Sequence, residues 1–369
     1  MNPPSAVLLV ATREIGDVLL TTPLLRSMRR AWPLARIDVL VYRHKGGMLE
    51  GNPDCNAVIE SDEHPDRAGY QRLLRRLFRR YDLAVTTQAN DRGHLYALLA
   101  ARRRVGLIPD LSWQSAWKRA LCASWSLLDN VHTHTVLQNL MLAERLGITP
   151  RHEVVPPTGA EEDLERRLPL AWRTATPYAV LHPYPRWRYK RWTDAGWRAL
   201  LQNLAERGWR VMLTGGSDAE EREYCATLAA QWPGIAVSLA GSIGFGALAH
   251  LLRKARVYVG PDTATTHLAA ACGTPTLALY GPSNPVKWGP WPANGVSSAG
   301  LCTPSPWVMT TAHWQRVGNV LLLQGAGECV PCREEGCDRH RNSDSLCLTT
   351  LPAARVIAAL DRLLANNQA

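Results

Sequence analysis

The chain passes from strand to helix and back to strand within Val259-Gly-Pro-Asp-Thr-Ala-Thr-Thr-His267-Leu-Ala-Ala-Ala-Cys-Gly-Thr-Pro275. Gly260 and the proline after it predict a tight turn, and Asp262 is the expected N-cap of the helix. Free backbone N–H groups and hydroxyls at such a helix start bind anions. His267 lies one turn into the helix, where a histidine is usually structural but becomes a plausible ligand beside a diphosphate. The segment therefore predicts a βαβ unit with an anion site.

The same rhythm extends in both directions from this unit. Strands are predicted at residues 6–10, 36–42, 81–87, 178–182, 209–213, 236–239, 256–260 and 274–280, and helices include 71–80, 195–207 and 217–231. Alternating strands and helices indicate parallel sheets covered by helices. The fold class is therefore α/β, with two Rossmann-like parallel-sheet domains expected to face each other across a cleft.

Proline and charge divide the chain into these domains. Residues 151–176 are rich in both and are predicted to be the linker, with a short helix at 161–167. The domains are then residues 1–150 and 177–350, followed by an amphipathic helix in 351–369.

Composition narrows the class of protein. Apolar residues make up 46% and charged residues 20%, as in globular proteins, and the formal net charge is +10. We find no apolar run of membrane-spanning length and no signal-peptide pattern, so a cytoplasmic protein is expected. The positive charge indicates either a solvated basic surface or a face for a polyanion. Nucleic acid is the weaker partner, because no nucleic-acid-binding motif is found.

Three further loops each follow a predicted strand, where open α/β sheets bind ligands. Thr12-Arg-Glu-Ile-Gly-Asp17 carries a carboxylate that is either functional or a helix cap. His182-Pro-Tyr-Pro-Arg-Trp-Arg-Tyr-Lys190 is a basic loop with no acidic residue of its own to neutralise it, which favours a diphosphate pocket over a solvated basic loop. After Leu213, Glu220 or Glu221 either binds ribose hydroxyls or matches the helix dipole.

Four cysteines lie close together near the C-terminus, in residues 324–348. Cys329, Cys332, Cys337 and Cys347 have the spacing C-x2-C-x4-C-x9-C. Four thiols in so short a segment are the ligand set of a structural tetrahedral zinc site. The alternatives are an unligated reduced cluster and disulfides formed after purification. A zinc ion held by four protein ligands would leave no position for substrate, so no catalytic role is expected for it.

The motifs together resemble the ADP-heptose:lipopolysaccharide heptosyltransferases, which are glycosyltransferases of the two-domain GT-B fold. The resemblance covers essentially the whole chain and is strongest at Ile15-Gly-Asp-Val-Leu-Leu-Thr-Thr-Pro23, Val259 to His267 and Tyr280-Gly-Pro-Ser-Asn-Pro285. Residues 12–36 and Trp288-Gly-Pro-Trp291 look most like the branch that adds the third inner-core heptose.

The resemblance implies roles for particular residues. Asp17 matches the general base, and Lys190 matches the lysine on the donor phosphates. Glu221, or Glu220 in the other register, matches an acid near the donor ribose. Donor-binding positions of the phosphate loop match Asp262, Thr263, Ala264 and His267. Ala264 departs from the glycine of several members, and the cysteine-rich segment is absent from many.

The implied reaction is inverting transfer of heptose from ADP-heptose to the inner core of lipopolysaccharide. No Asp-x-Asp motif is found, so no metal or other cofactor is expected in catalysis. A lipid-anchored acceptor implies peripheral association with the inner membrane. The expected contacts with its anionic surface are basic residues of the first domain, namely Arg75, Arg76, Arg79, Arg80, Arg102, Arg103, Arg104, Lys118 and Arg119. Two alternatives are a nucleotide-binding oxidoreductase, disfavoured by the missing G-x-G-x-x-G, and a non-catalytic sugar-nucleotide-binding protein. The sequence singles out no acceptor-binding residue.

Overall fold

A computed structural model describes residues 3–159, 161–168, 172, 177–296, 305–309 and 314–365. Parts of the predicted 151–176 linker and residues 366–369 of the predicted C-terminal helix lie outside these ranges. The chain forms two compact units. The first contains Met1–Pro157 and Gly295–Ser305, and the second contains Thr158–Asn294 and Pro306–Ala369. The change of unit at Pro157 falls inside the predicted linker, whereas the return of Gly295–Ser305 to the first unit was not anticipated.

The first unit contains a six-stranded parallel sheet. Its strands are β1 (Ala6–Val10), β2 (Arg36–Tyr42), β3 (Ala57–Ser61), β4 (Tyr81–Thr86), β5 (Ala101–Ile108) and β6 (Ser124–Leu127). They lie in the order β3-β2-β1-β4-β5-β6. The helices are α1 (Ile15–Leu20), α2 (Thr22–Ala31), α3 (Arg67–Leu77), α4 (Asp91–Ala100), α5 (Ala116–Leu121) and α6 (Thr135–Leu146).

Apolar side chains on both faces of this sheet explain its helical cover. Leu8 and Val10 of β1 pack in one cluster with Leu73 and Leu77 of α3, while α2 and α6 contact each other elsewhere in the unit. The amide of Asn139 in α6 donates to the Leu20 carbonyl at the end of α1, at 3.1 Å. The predicted βαβ rhythm of this half is therefore confirmed.

The second unit contains a seven-stranded sheet in which only the edge strand β12 is antiparallel. Its strands are β7 (Tyr178–Leu181), β8 (Arg210–Leu213), β9 (Ala236–Ser238), β10 (Val257–Pro261), β11 (Thr276–Tyr280), β12 (Trp314–Val317) and β13 (Val320–Gln324). They lie in the order β12-β13-β11-β10-β7-β8-β9. The helices are α7 (Glu161–Arg167), α8 (Asp194–Glu206), α9 (Ala219–Ala230), α10 (Phe245–Lys254), α11 (Ala264–Ala271), α12 (Pro285–Trp288), α13 (Leu346–Thr349) and α14 (Ala353–Ala365).

The C-terminal helix α14 packs within the second unit. Its Val356, Leu360 and Leu363 are fully buried in the same cluster as Trp197 and Leu200 of α8. Each of these side chains contributes about 1.5–3 kcal/mol when removed from water. Within the described residues, no helix is long and apolar enough to cross a membrane.

Strand order places the functional loops. In each unit the first strand lies between a strand that follows it directly and one that comes later, so the sheet is doubly wound. The direction of the connections reverses between β1 and β4, and between β7 and β10. Ligands of open α/β sheets bind at the carboxyl ends of the strands at such reversals. The loops after β1, β7 and β10 carry Asp17, Lys190 and Asp262, respectively.

Candidate functional site

Asp17 lies inside a helix and does not cap it. Helix α1 begins at Ile15 with Glu14 as its N-cap residue, so Asp17 occupies the first turn. The prediction that it stands at or just before the helix start was therefore wrong by two residues. The Asp17 side chain is 14% exposed, and its Oδ1 lies 3.8 Å from Arg13 Nη1. A carboxylate in the first turn of a helix interacts favourably with the helix dipole.

Two other polar side chains mark the same loop. Lys45, beyond β2, forms an ion pair with Glu14 at 2.5 Å, which fixes the start of α1 to the next loop along the sheet. The hydroxyl of Thr12 is buried and finds no hydrogen-bond partner among the described residues. A buried hydroxyl without a partner is costly and is frequently explained by a ligand or an ordered water.

Asp262 is the centre of a buried polar network. Lys190 Nζ donates to Asp262 Oδ2 at 2.7 Å, and Ser283 Oγ donates to the same oxygen at 2.6 Å. Tyr280 Oη contacts Oδ1 at 3.3 Å, and His267 Nε2 lies 3.8 Å from that oxygen. The prediction of an N-cap role for Asp262 was wrong, because Thr263 occupies the N-cap position of α11. Lys190 and Asp262, which the sequence placed in two separate motifs, are thus in direct contact.

The network fixes protonation states. Burial acts most strongly on Asp262 and opposes its ionisation, but Lys190, His267 and the Ser283 hydrogen bond together outweigh it, so the pKa of Asp262 lies below its ordinary value. Burial lowers the pKa of His267 to about 4, and Lys190 acts in the same direction while Asp262 opposes it. His267 is therefore neutral near pH 7, with one ring nitrogen able to donate and the other able to accept. Its Nδ1 is buried and has no hydrogen-bond partner within the described ranges.

The start of α11 leaves its backbone donors available. Thr263 makes no side-chain capping bond to any residue that the structure describes. Ala264 is the first residue of the helix. Gly260 lies within β10, where a Cβ would be 2.2 Å from Tyr258 Oη. The tight turn therefore presents uncapped N–H groups beside Lys190 and His267, which is an anion-binding arrangement.

Two arginines of the basic loop after β7 have partners: Arg188 meets a carboxylate that is distant in sequence, and Arg191 stacks on a ring of the same loop. Arg188 forms a bidentate ion pair with Asp344, at 2.8 and 2.7 Å, and the Arg191 guanidinium stacks on the Tyr184 ring at 3.6 Å. The prediction that this loop lacks a neutralising acid was therefore wrong. Sequence reasoning missed Asp344 because it lies 156 residues away. Lys190 remains 19% exposed, so it can reach both Asp262 and a ligand.

The two candidate acids of α9 have different neighbours. Glu220 accepts from Tyr184 Oη at 2.9 Å, whereas Glu221 accepts from the backbone N–H of Gly216 in the turn after β8. Burial raises the pKa of Glu221, while the Gly216 N–H opposes the increase. Asp218 caps the helix, so both glutamates lie in its first turn as the dipole argument expected. Glu221 is the acid at the strand-end turn.

The cysteine-rich segment brings its four thiols near one another. Cys329, Cys332, Cys337 and Cys347 are free thiols. Burial raises the pKa of Cys347 to about 12, and the three other thiols are close enough to add to the increase. Leu346 N donates to Cys337 Sγ at 3.3 Å. In the part of the chain that the structure describes, no three His, Cys, Asp or Glu side chains are arranged to hold a metal ion.

Basic residues of the first unit fall into two groups. Arg75, Arg76, Arg79, Arg80 and Arg102 are exposed, near the edge of the sheet at which β4 and β5 begin. The loop that carries Asp17 lies at the opposite edge, because all these strands are parallel.

The basic residues of the second group form ion pairs or hydrogen bonds within the protein. Lys118 is 7% exposed and forms an ion pair with Asp91 at 2.6 Å. Arg104 and Arg119 donate to backbone carbonyls. The expectation that Lys118 supplies surface charge was wrong, because its side chain packs inward to meet a carboxylate.

A family profile and the most similar sequences indicate the same family. The profile of glycosyltransferase family 9 (heptosyltransferase) matches residues 70–306. Lipopolysaccharide heptosyltransferase 3 of Escherichia coli is 28% identical, over 95% of this chain and 97% of its own. Lipopolysaccharide heptosyltransferase 1 of Pseudomonas aeruginosa is 30% identical, over 97% of this chain and 98% of its own.

A solved structure supports the same architecture. The E. coli heptosyltransferase WaaC with ADP superposes with a TM-score of 0.69 and 20% identity, covering 97% of this chain and 99% of that one. At this identity the likeness concerns the fold, which is the α/β arrangement of parallel-strand sheets expected of the GT-B class.

Proposed function

Because the chain belongs to glycosyltransferase family 9, the heptosyltransferases, we propose that it transfers a heptose from ADP-heptose to the inner core of lipopolysaccharide with inversion. Family membership removes the oxidoreductase alternative. The observation that carries the proposed donor site is the contact of Lys190 with Asp262 beside the uncapped start of α11. This arrangement, at the reversal of strand order, suits a diphosphate.

The donor site would use residues of the second unit. Lys190 and the first N–H groups of α11, near Thr263 and Ala264, would bind the diphosphate of ADP. The unpartnered Nδ1 of His267 would form a hydrogen bond to the donor, which removes the cost of a buried polar atom without a partner. Glu221 would accept hydrogen bonds from ribose hydroxyls, as a carboxylate at a strand-end turn can.

Asp17 would act as the general base. The acceptor hydroxyl gives its proton to Asp17 as its oxygen bonds to the anomeric carbon, and the bond from that carbon to ADP breaks. Lys190 and the helix terminus would stabilise the charge that develops on the leaving diphosphate. This assignment involves no metal or other cofactor in catalysis, since protein cations and backbone N–H groups stabilise that charge.

The test combines transfer with ligand binding. We expect purified protein to transfer heptose from ADP-heptose to lipopolysaccharide core isolated from a deletion strain, with the added mass seen by mass spectrometry. ADP should raise the melting temperature and NAD should not. Stabilisation by ADP without any transfer would instead support the non-catalytic alternative. Failure of both would overturn the proposal.

We also propose peripheral association with the anionic inner surface of the cytoplasmic membrane, where a lipid-anchored acceptor would lie. The exposed arginines at 75, 76, 79, 80 and 102 are the candidate contacts. Each basic residue near an anionic surface contributes about 1 kcal/mol and is screened by salt. Vesicles with anionic lipid should bind the protein, and replacing Arg75, Arg76, Arg79 and Arg80 by Glu should abolish binding. Equal binding to neutral vesicles would contradict this account.

A structural zinc ion at Cys329, Cys332, Cys337 and Cys347 remains a proposal. The thiols are near enough to perturb the pKa of Cys347, and a zinc ion would draw them into a tetrahedral shell and deprotonate them. Metal analysis should be made on protein purified under reducing conditions without a metal-affinity tag. One equivalent of zinc would support the site. Less than about a tenth of an equivalent in folded protein would end the idea, since structural zinc sites are fully occupied.

A further inference from the structure

We infer that Ser345, in the cysteine-rich segment, is a positioning residue that holds Lys190 in place for the donor diphosphate. The inference rests on the proposed function, because it concerns the donor site of that reaction. It also goes beyond the sequence expectation for the cysteine-rich segment, residues 324–348, which concerned only a zinc ion without a catalytic role.

The hydroxyl of Ser345 is directed away from its own helix. Ser345 occupies the N-cap position of α13, where a serine ordinarily bonds to a backbone N–H of the first turn. No such cap is formed within the described chain. The hydroxyl instead donates to the Tyr189 carbonyl at 2.7 Å, across 156 residues of sequence, and Ser345 is 2% exposed. Because this buried hydroxyl bonds to a carbonyl that is distant in sequence and does not cap its own helix, we assign it the role of holding that carbonyl in place.

The carbonyl that it holds belongs to the peptide bond of Lys190. Arg188–Lys190 form a single 3-10 turn, and the Lys190 N–H bonds to the Trp187 carbonyl at 3.0 Å. Fixing the Tyr189 carbonyl therefore fixes the direction in which the Lys190 side chain leaves the backbone. From there Nζ reaches Asp262 at 2.7 Å.

Two other residues of the cysteine-rich segment, Asp344 and Gly336, contact the same 3-10 turn. Asp344 forms the bidentate ion pair with Arg188. Gly336 packs against Tyr189, since a Cβ at Gly336 would lie 3.1 Å from Tyr189 Cβ, and its φ of +94° also favours glycine. The cysteine-rich segment thus contacts the 3-10 turn through a hydrogen bond to a backbone carbonyl, an ion pair and close packing.

The same segment also holds the other loop that reaches Asp262. Arg333 N donates to the Pro282 carbonyl at 2.8 Å. Ser283, the next residue, donates to Asp262 Oδ2. The two polar groups on Asp262 Oδ2 therefore both come from loops that residues 324–348 support. Displacing a positioned group by about 1 Å can cost up to a hundredfold in rate, so modest loosening of this support should be measurable.

The experiment compares Ser345→Ala with Ser345→Thr in the full chain, with Thr350→Ala as the matched control. Thr350 lies just beyond the cysteine-rich segment, and its exposed hydroxyl donates to Leu346 O at 2.6 Å. We expect Ser345→Ala to lower kcat/KM for the donor about tenfold with an unchanged acceptor KM. Ser345→Thr, which keeps the hydroxyl, should restore at least half of the loss, and Thr350→Ala should change nothing.

ADP titration separates this inference from the proposed function. If the wild-type protein binds ADP but transfers no heptose, the proposed function fails, while a several-fold weaker ADP affinity of Ser345→Ala still supports the positioning role. Donor kinetics and ADP affinity of Ser345→Ala within twofold of wild type would overturn the inference. Equal losses toward donor and acceptor that the threonine does not rescue would also overturn it, since they would indicate a general loss of structure.

Discussion

Replacing Lys190 by alanine should reduce both stability and donor use. Asp262 is 7% exposed, and Lys190 is its cationic partner at 2.7 Å. Removing one member of a buried pair costs about 3–5 kcal/mol because the other charge is left uncompensated. Asp262 keeps the bonds from Ser283 and Tyr280, so we expect about 2–3 kcal/mol, or a fall in Tm of roughly 5–10 °C. In Lys190→Ala, burial should prevail and the pKa of Asp262 should rise.

A double substitution separates the two effects. Changing Asp262 to Asn in the Lys190→Ala background removes the buried charge, so most of the lost stability should return while donor use stays impaired. Lys254→Ala is the control, because Lys254 is an exposed lysine at the end of a helix of the same unit. Thermal unfolding and ADP titration of the four proteins measure stability and donor affinity separately.

Two results would refute the reasoning. One is a Tm of Lys190→Ala equal to that of Lys254→Ala, which would mean that Asp262 is not charged and paired. The other is unchanged donor kcat/KM in Lys190→Ala, which would remove Lys190 from the donor site.

Four further substitutions test Asp17, the two glutamates of α9 and the buried His182. Asp17→Asn should lower turnover by about 10²–10⁴ with ADP affinity intact, and turnover within tenfold of wild type would reduce Asp17 to a structural residue. Glu221→Gln should weaken ADP binding about tenfold, whereas Glu220→Gln, beside it, should not; the reverse result would change the register. Burial lowers the pKa of His182 to about 4. The unfolded chain therefore binds a proton at this histidine near pH 6.5, whereas the folded protein does not. Stability should therefore fall as pH drops from 6.5 to 4, by up to about 3 kcal/mol from this group, and His182→Asn should flatten that slope. An unchanged slope in calorimetric titrations would contradict it.

Strands with continuous apolar character were predictable from the sequence. β1 and β2 have the predicted bounds because runs such as Ala6–Val10 have few alternatives to a buried strand. β5 was missed because three arginines follow its first residue, Ala101, and suggest a surface segment, although its second half is fully buried. The helix predicted at residues 71–80 is α3, which ends at Leu77, so Arg79 and Arg80 follow it. Local pattern gives an element's existence, whereas tertiary packing sets its ends.

Contacts between distant residues could not be predicted from the sequence. The strand-end rule grouped Lys190 and Asp262 on the functional edge, but no local pattern indicates that one neutralises the other. The same holds for Arg188 and Asp344, since complementary charges are common and only the fold selects partners. A capping role for Asp17 stayed open beside the catalytic one, because an aspartate near a helix start most often is a cap and only the structure shows that Glu14 holds that position.

The long separation between Lys190 and its support has a consequence for biosynthesis. The chain is made from its N-terminus, so Tyr189 emerges 156 residues before the serine that fixes its carbonyl. At bacterial elongation rates of about 5–20 residues per second, that interval is roughly 8–30 s. During this time β7, β10 and β11 can already pair, while the lysine turn lacks its partner. Nascent chains stalled before residue 344 should therefore contain a largely assembled sheet that does not yet bind nucleotide tightly, and competence would arrive with the last part of the chain to be translated.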